Sequence, residues 1–547
     1  MISYIIKRLA TWQACFAVIL MVGIGLRLWG LGQSGIFFYD EAMYLGHSLD
    51  GLEFLSRNQA AAASDLGKAL NFYLQFPLNF TKPIWILIVD SRYFLSHIHD
   101  WDYAKYASCL FGVLTLPLAF VFARKYFKSV AIACLSMAIL AVMPGPVFYS
   151  RIGLQEALST FLVLSGLYFY LFPRDFGKKT FLAGLFLGMA YLSNYRLIVL
   201  PGLLVVIELW LGLLNKEGIR WRHCVWACVM FLVVMVLVGS CMGGIQMRYT
   251  FAWIFHQQDM SIHQKAMQVG LRHWTEIFAY PYYLFRLENG LLAAAFFGAV
   301  YFFIKRHWKS ALLFVVVIVQ MFLFSFASDR GARYIAVVLP LVAMSSAALL
   351  YAVYQDVVHP HRRVIFVGFL VFMFAGLLIR SVSLITDVSA YRPSVEFLTE
   401  RDAHVKFLSS QQIVQRLYLK DRKNVRDIPV NFEDFYRLYA QGFRYLVLDP
   451  QAYIGFPGHD YKWTLPLAGY LSFIDRQAQP LKTFAHFNRA VMERVVFEHS
   501  DALFESIRFL DSKDLDKMSS LRVYDIATLL PVMMSVANSK NNKALPR

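Results

Sequence analysis

The sequence predicts a polytopic α-helical membrane protein that ends in a small α/β unit outside the bilayer. Three observations carry that prediction. Hydrophobic residues make up 58% of the 547-residue chain and charged residues only 16%, against roughly 45–50% and 25% in soluble domains. The apolar residues come in runs of about 17–21, the length at which a helix crosses about 30 Å of hydrocarbon. From residue 391 the composition turns to mixed charge with alternating, strand-like segments such as FRYLVLDP at 443–450. The net charge of +17 then belongs to cytoplasmic loops and anionic head groups, and no nucleic-acid partner is implied.

Apolar runs place spans at 10–29, 106–123, 129–148, 155–172, 180–193, 196–214, 224–244, 289–304, 310–327, 334–354 and 364–380. The runs at 180–193 and 289–304 are short for full crossings and fit half-helices as well. The first run follows Lys7 and Arg8 without a small-residue cleavage site, as in an uncleaved signal anchor. About 11 spans put the two termini on opposite sides, which the basic residues test. Lys7 and Arg8, Arg124, Lys125 and Lys128, Arg174, Lys178 and Lys179, Lys216, Arg220 and Arg222, Lys305, Arg306 and Lys309, and Arg362 and Arg363 all fall on one side, assigned to the cytoplasm. The reading is a cell (inner) membrane protein with residues 1–390 as the transmembrane domain, including a first extracytoplasmic loop at about 30–105, and 391–547 as an extracytoplasmic α/β domain. The stretch 83–95 is too short and polar to span and reads as an interfacial helix, and 522–530 as a late strand or helix.

Chemistry is sought among charges at the outer ends of spans. Asp40 and Glu41 form an acidic pair in FFYDEAMY, and Glu156 opens the fourth span with Arg151 before it. Solvated loop acids and a helix-start acid complementing the macrodipole are the plain alternatives. Lys82, Arg196 and Arg333 lie on the outer side against the charge bias. Cations at a membrane interface suit a phosphate, because charge-assisted hydrogen bonds strengthen where water is scarce, although snorkelling to head groups would also place them there. Glu208, within an apolar run, reads as close enough to the cytoplasmic end to reach water. The six cysteines all fall in apolar runs and read as packing residues. His97 and His99 with Asp100 and Asp102, and His256, His263 and His273, read as loop residues rather than metal ligands.

FYDEAMY after the first span, TKP at 81–83, YSRIGLQE at 149–156, GLFLGMAYLSNYR at 184–196 and GARYIAVVLPLVA at 331–343 follow one another in an order that resembles the GT-C glycosyltransferases of the protein O-mannosyltransferase and lipid A aminoarabinose transferase superfamily. The resemblance implies a GT-C fold. It also implies transfer of a hexose or pentose, with inversion, from a polyprenyl-phosphate-sugar donor to a lipid, glycan or protein acceptor on the extracytoplasmic face. Asp40 matches the family's first-loop catalytic acid, followed by Glu41, and Glu156 matches the second-loop acid, which is usually Asp. Lys82 matches the lysine of a Lys-Pro-Pro step, with Ile84 replacing the second proline. Asn194 stands where the family often has lysine, so Arg196 is the substitute, and Arg333 and Tyr334 match a basic-aromatic pair opening a late span.

On chemical grounds Asp40 is the candidate base, and Lys82, Arg196 and Arg333 are the candidate phosphate clamp, to which the resemblance adds Tyr334, with Arg151 assigned beside them to the donor phosphate. Glu156 would orient the acceptor or support the base. The sequence requires no cofactor, although the acids with a phosphate would accommodate a divalent metal. The competing class is a lipid or glycan flippase, which calls for mid-membrane charges and related halves, and the sequence shows neither pattern.

Overall fold

The structure, a computed structural model, describes residues 2–46, 82–96, 102–172, 177–214, 218–241, 274–326, 330–429, 432–454, 465–499 and 503–531. His97, His99, Asp100, His256, His263 and His273 lie outside them. The chain divides into two compact units, Met1–Leu31 with Ser48–Ile385 and Gly32–His47 with Thr386–Arg547.

The first unit is a helical bundle, and each of the eleven apolar runs contains a helix. Six of the described helices are long and apolar enough to cross a membrane, and the protein is an integral membrane protein. The local breaks have sequence causes. The run at 129–148 splits into Val130–Val142 and Pro144–Tyr149 because Pro144 cannot donate to the preceding turn and holds Met143 extended. The run at 289–304 is two short helices, Gly290–Phe297 and Val300–Ile304, started by Asn289, whose side chain accepts from the Leu291 N–H at 3.0 Å.

Hydrogen bonds tie helix ends together in the alternation the basic residues predict. At one end Arg151 donates to the carbonyls of Arg27 (3.0 Å), Leu26 (3.3 Å) and Ile385 (3.3 Å), the last turns of the first and last long helices. Arg27 in turn donates to Leu140 and Ala141, where Val130–Val142 ends. Guanidiniums suit these positions because helix C-termini carry exposed carbonyls and partial negative charge. At the opposite end Tyr126 donates to the Lys309 carbonyl (2.5 Å) and Trp210 to the Trp308 carbonyl (2.8 Å).

One expectation needs correction. Glu208 does not reach water: it is fully buried and ion-paired with Arg220 (Nη2–Oε1 2.6 Å), and it accepts from the Tyr170 hydroxyl at 2.9 Å. The helix Pro83–Ser96 packs on Tyr103–Phe127 and Lys178–Ser193 with Trp85, Ile86 and Val89 buried.

The second unit holds a five-stranded sheet in the order β2-β1-β3-β5-β4, with β1 Phe407–Ser409, β2 Val425–Asp427, β3 Tyr445–Leu448, β4 Lys482–Ala485 and β5 Ser520–Asp525. β1 runs parallel to β2 and β3, while β5 is antiparallel to β3 and β4. Leu408, Leu446, Leu448, Phe435, Leu471, Ile474 and Tyr524 form its core. Residues 522–525 are strand and 526–531 helical. The sequence assigned 32–47 to the first loop of the membrane domain, whereas in the structure it groups with this sheet unit.

Removing one partner of a buried ion pair strands the other, at a cost of roughly 3–5 kcal/mol. Arg220→Ala should therefore lower the melting temperature in detergent, and the double change with Glu208→Leu should recover part of the loss. An unchanged melting temperature for Arg220→Ala would contradict this account.

Candidate functional site

The bundle unit gathers three of the residues singled out from sequence. Asn194 ends the helix Lys178–Ser193, and its side chain accepts from the Arg196 N–H at 3.3 Å, turning the chain into the 3-10 segment Tyr195–Val199. This turn lays the Arg196 guanidinium over the Tyr334 ring, Cζ 3.8 Å from the centroid. Arg333 approaches the same ring at 5.5 Å. A ring face attracts a cation electrostatically, so one tyrosine ring helps hold two guanidiniums. Arg196 is only 8% exposed. The resulting cluster offers planar, fixed donors of the kind that match phosphate oxygens.

The segment Ala332–Val338, which carries Arg333 and Tyr334, packs against the helix Glu156–Leu171. Ala157 and Thr160 from that helix line one cavity with Ala336 and Pro340. Glu156 is 1% exposed, and its Oε1 accepts from the Gln155 side-chain amide at 2.8 Å. Lys82 is also buried, at 5% exposure, immediately before the helix Pro83–Ser96. Arg151 is placed differently: its fork serves the three helix-end carbonyls described above, a tie between helix ends.

Asp40 and Glu41 belong to the second unit. They open a helical turn at 39–46, with Asp40 half-buried and Glu41 buried. Gly35 adopts φ +71° and approaches Ser389 so closely that an added Cβ would stand 3.0 Å from the serine Cβ, so glycine is required there twice over. The Ile36 N–H donates to the Tyr418 hydroxyl at 3.0 Å, and the Phe37 ring stacks on Phe487 at 5.4 Å and 10°. Burial pushes the Tyr39 phenol up, helped by the carboxylates of Asp40 and Asp427 and opposed by Arg416. Asp427 ends β2, Arg416 and Tyr418 lie in the connection after β1, and Asp449 follows β3. The acidic segment thus meets residues at the carboxyl ends of the parallel strands, where α/β sheets commonly receive ligands.

Behind this segment lies a buried polar group. Tyr391 donates to Asp449 Oδ2 at 2.6 Å, the Asp449 N–H is bound by Ser410, and His486 Nδ1 accepts from the Ala390 N–H at 3.1 Å. Burial pushes Asp449 up to about 6 and His486 down to about 3. Asp387 rises to about 6, again chiefly from burial, while accepting from the Asn488 N–H.

Sequence reasoning did not single out the buried Arg330–Glu276 pair (2.8 Å) or Arg416. Arg330 carried the same signal as Arg333, a cation in an outer loop. Arg416 carried none, because its neighbour Gly46, whose added Cβ would meet the guanidinium at 2.7 Å, is far away in sequence. Among the described residues no group of three or more His, Cys, Asp or Glu side chains could hold a metal ion.

Comparison with known proteins agrees with this architecture. The family model for dolichyl-phosphate-mannose-protein mannosyltransferase matches residues 67–245, and no curated protein sequence matches. ArnT from Cupriavidus metallidurans in the apo state aligns at 14% identity with TM-score 0.54, covering 82% of this chain and 94% of its own. The same enzyme bound to undecaprenyl phosphate aligns at 14% and 0.54, covering 88% and 96%. The Archaeoglobus fulgidus oligosaccharyltransferase in the apo form aligns at 11% and 0.53, covering 80% and 70%. The chain has the GT-C fold shared by these membrane glycosyltransferases.

Two outcomes follow from the geometry. Tyr334→Leu removes the ring under both guanidiniums and should destabilise by about 1–2 kcal/mol, read as a lower melting temperature. The sheet unit should also respond to acid. His486, at about 3 when folded against an ordinary 6.5, contributes stability above pH 6.5 that is lost as pH falls toward 3. Asp449 and Asp387, at about 6 against 3.8, contribute stability below pH 3.8 that is lost as pH rises through about 6. Asparagine at 486 retains an acceptor for Ala390, so His486→Asn should show a melting temperature that falls less, or rises, between pH 7 and 4.5. An acid limb identical to the unmodified protein would refute the histidine's part.

Proposed function

We propose that this protein transfers a sugar, a hexose or pentose, from a polyprenyl-phosphate-linked donor to a lipid, glycan or protein acceptor on the extracytoplasmic face of the inner membrane, with inversion at the anomeric carbon. The observation that carries the reading is the pair of guanidiniums on Tyr334, at the end of the bundle opposite the basic loops. The undecaprenyl phosphate named for the Cupriavidus relative supports a lipid phosphate as what they bind.

In this scheme the acceptor oxygen attacks the anomeric carbon while its proton passes to the Asp40 carboxylate. The bond from that carbon to the phosphate oxygen breaks, and its electron pair leaves with the lipid phosphate. Lys82, Arg196 and Arg333 stabilise the negative charge that develops there. Glu156, held by Gln155, orients the acceptor, and Glu41 supports the turn that carries Asp40. Arg151 acts indirectly, by fixing the helix ends around the site. The N-terminus is cytoplasmic and the sheet unit extracytoplasmic.

The test uses the full chain in nanodiscs with undecaprenyl-phosphate-linked, radiolabelled hexoses and pentoses and host membrane extract as acceptor. Asp40→Asn should lower transfer by roughly 10²–10⁴-fold while undecaprenyl phosphate still binds and the protein still inserts. Lys82→Ala should weaken undecaprenyl phosphate binding about tenfold, the value of one charge-assisted contact. Wild-type transfer by Asp40→Asn sinks the base assignment. Movement of labelled lipid across a vesicle without any transfer of label would sink the enzyme reading in favour of a flippase.

A further inference from the structure

Phe487 sits in the left-handed region, φ +51°, where a bulky side chain is rarely found. It is neither a turn glycine nor an exposed residue; its ring is 4% exposed. Its neighbours hold it in place. The His486 N–H donates to the Ser519 carbonyl at 2.9 Å, its Nδ1 accepts from Ala390, and the Asn488 N–H donates to Asp387 Oδ2 at 3.0 Å. The His486 and Phe487 rings lie 3.8 Å apart, so the buried imidazole backs the phenyl. Strain of this kind persists only where the surroundings over-determine it, and it clusters at functional sites. Here the phenyl is aimed at Phe37, three residues before Asp40, with the two rings nearly parallel. Phe38 adds a second aromatic contact, to His499 at 6.1 Å.

We propose that Phe487, stacked on Phe37 and held in its strained conformation by the residues on either side, positions the Asp40 segment for sugar transfer. The inference rests on the proposed role of Asp40. Phe487 is a positioning residue: it touches no reacting atom, and it fixes where the helical turn at 39–46 begins. The hydrogen bond from Ile36 to Tyr418 and the close approach of Gly35 to Ser389 fix the backbone on the near side of Phe37. On the side toward Asp40, the Phe37–Phe487 stack and the Phe38–His499 contact restrain the segment.

The experiment compares Phe487→Leu and Phe487→Tyr in the full chain in nanodiscs. It reads amide hydrogen exchange at 36–46, melting temperature, undecaprenyl phosphate binding, and kcat and donor KM. Leucine keeps apolar bulk and loses the stack; tyrosine keeps it. Phe487→Leu should raise exchange at 36–46 at least tenfold and lower kcat by roughly 10–100-fold, with donor KM and lipid binding close to the unmodified protein and only a small fall in melting temperature. Phe487→Tyr should restore both exchange protection and kcat. If Phe487→Leu does not fold, Phe37→Leu removes the same stack from the other side and is read in the same way. Unmodified exchange and kcat in the leucine variant overturn the proposal, as does a loss of kcat that tracks a fall in melting temperature. Full activity of Asp40→Asn, by contrast, removes the base assignment and leaves the exchange result standing, so the two failures are told apart.

Discussion

A charge inside an apolar bundle is retained only if other groups replace the water it gives up. That requirement decides where the cations of the membrane unit sit. Arg27 and Arg151 are placed on helix C-terminal carbonyls, Arg220 on Glu208, Arg330 on Glu276, and Arg196 on an aromatic face. Each arrangement also fixes helices against one another, so the solvation of charge and the assembly of the bundle are one problem. The end that carries Arg196, Arg333 and Tyr334 differs in kind, because two guanidiniums share one ring.

The sheet unit has a different logic. Its parallel strands end in Asp427 and, just beyond β3, Asp449, and the segment at 36–46 contacts residues that follow those strands. A loop that belongs by sequence to the membrane domain is therefore organised by a second folding unit. This accounts for the density of constraint on so short a stretch: a positive-φ glycine, a hydroxyl on the Ile36 amide, and a stacked phenylalanine in a strained conformation. Buried Asp449, Tyr391 and His486 stiffen the floor beneath it.

Composition and run length determined the membrane character, the helical bundle and a helix within each of the eleven apolar runs, because the hydrocarbon core imposes one length and one polarity on whatever crosses it. The charge bias determined which helix ends share a side, and hydrogen bonds such as Tyr126 to Lys309 follow that alternation. Short-range rules were also legible: Pro144 ending a helix and Asn289 starting one. Only the tertiary structure decided which cations face each other. The stacking of Arg196 on Tyr334 joins residues 138 positions apart, Arg151 turns out to hold helix ends, and Glu208 finds its partner in Arg220, just before the next helix. The allegiance of 32–47 to the sheet unit was likewise invisible, since its contacts with Tyr418 and Phe487 lie hundreds of residues away. Hydrophobic pattern reports how each segment meets its solvent. Pairing between distant side chains is set by geometry that exists only once the segments have packed.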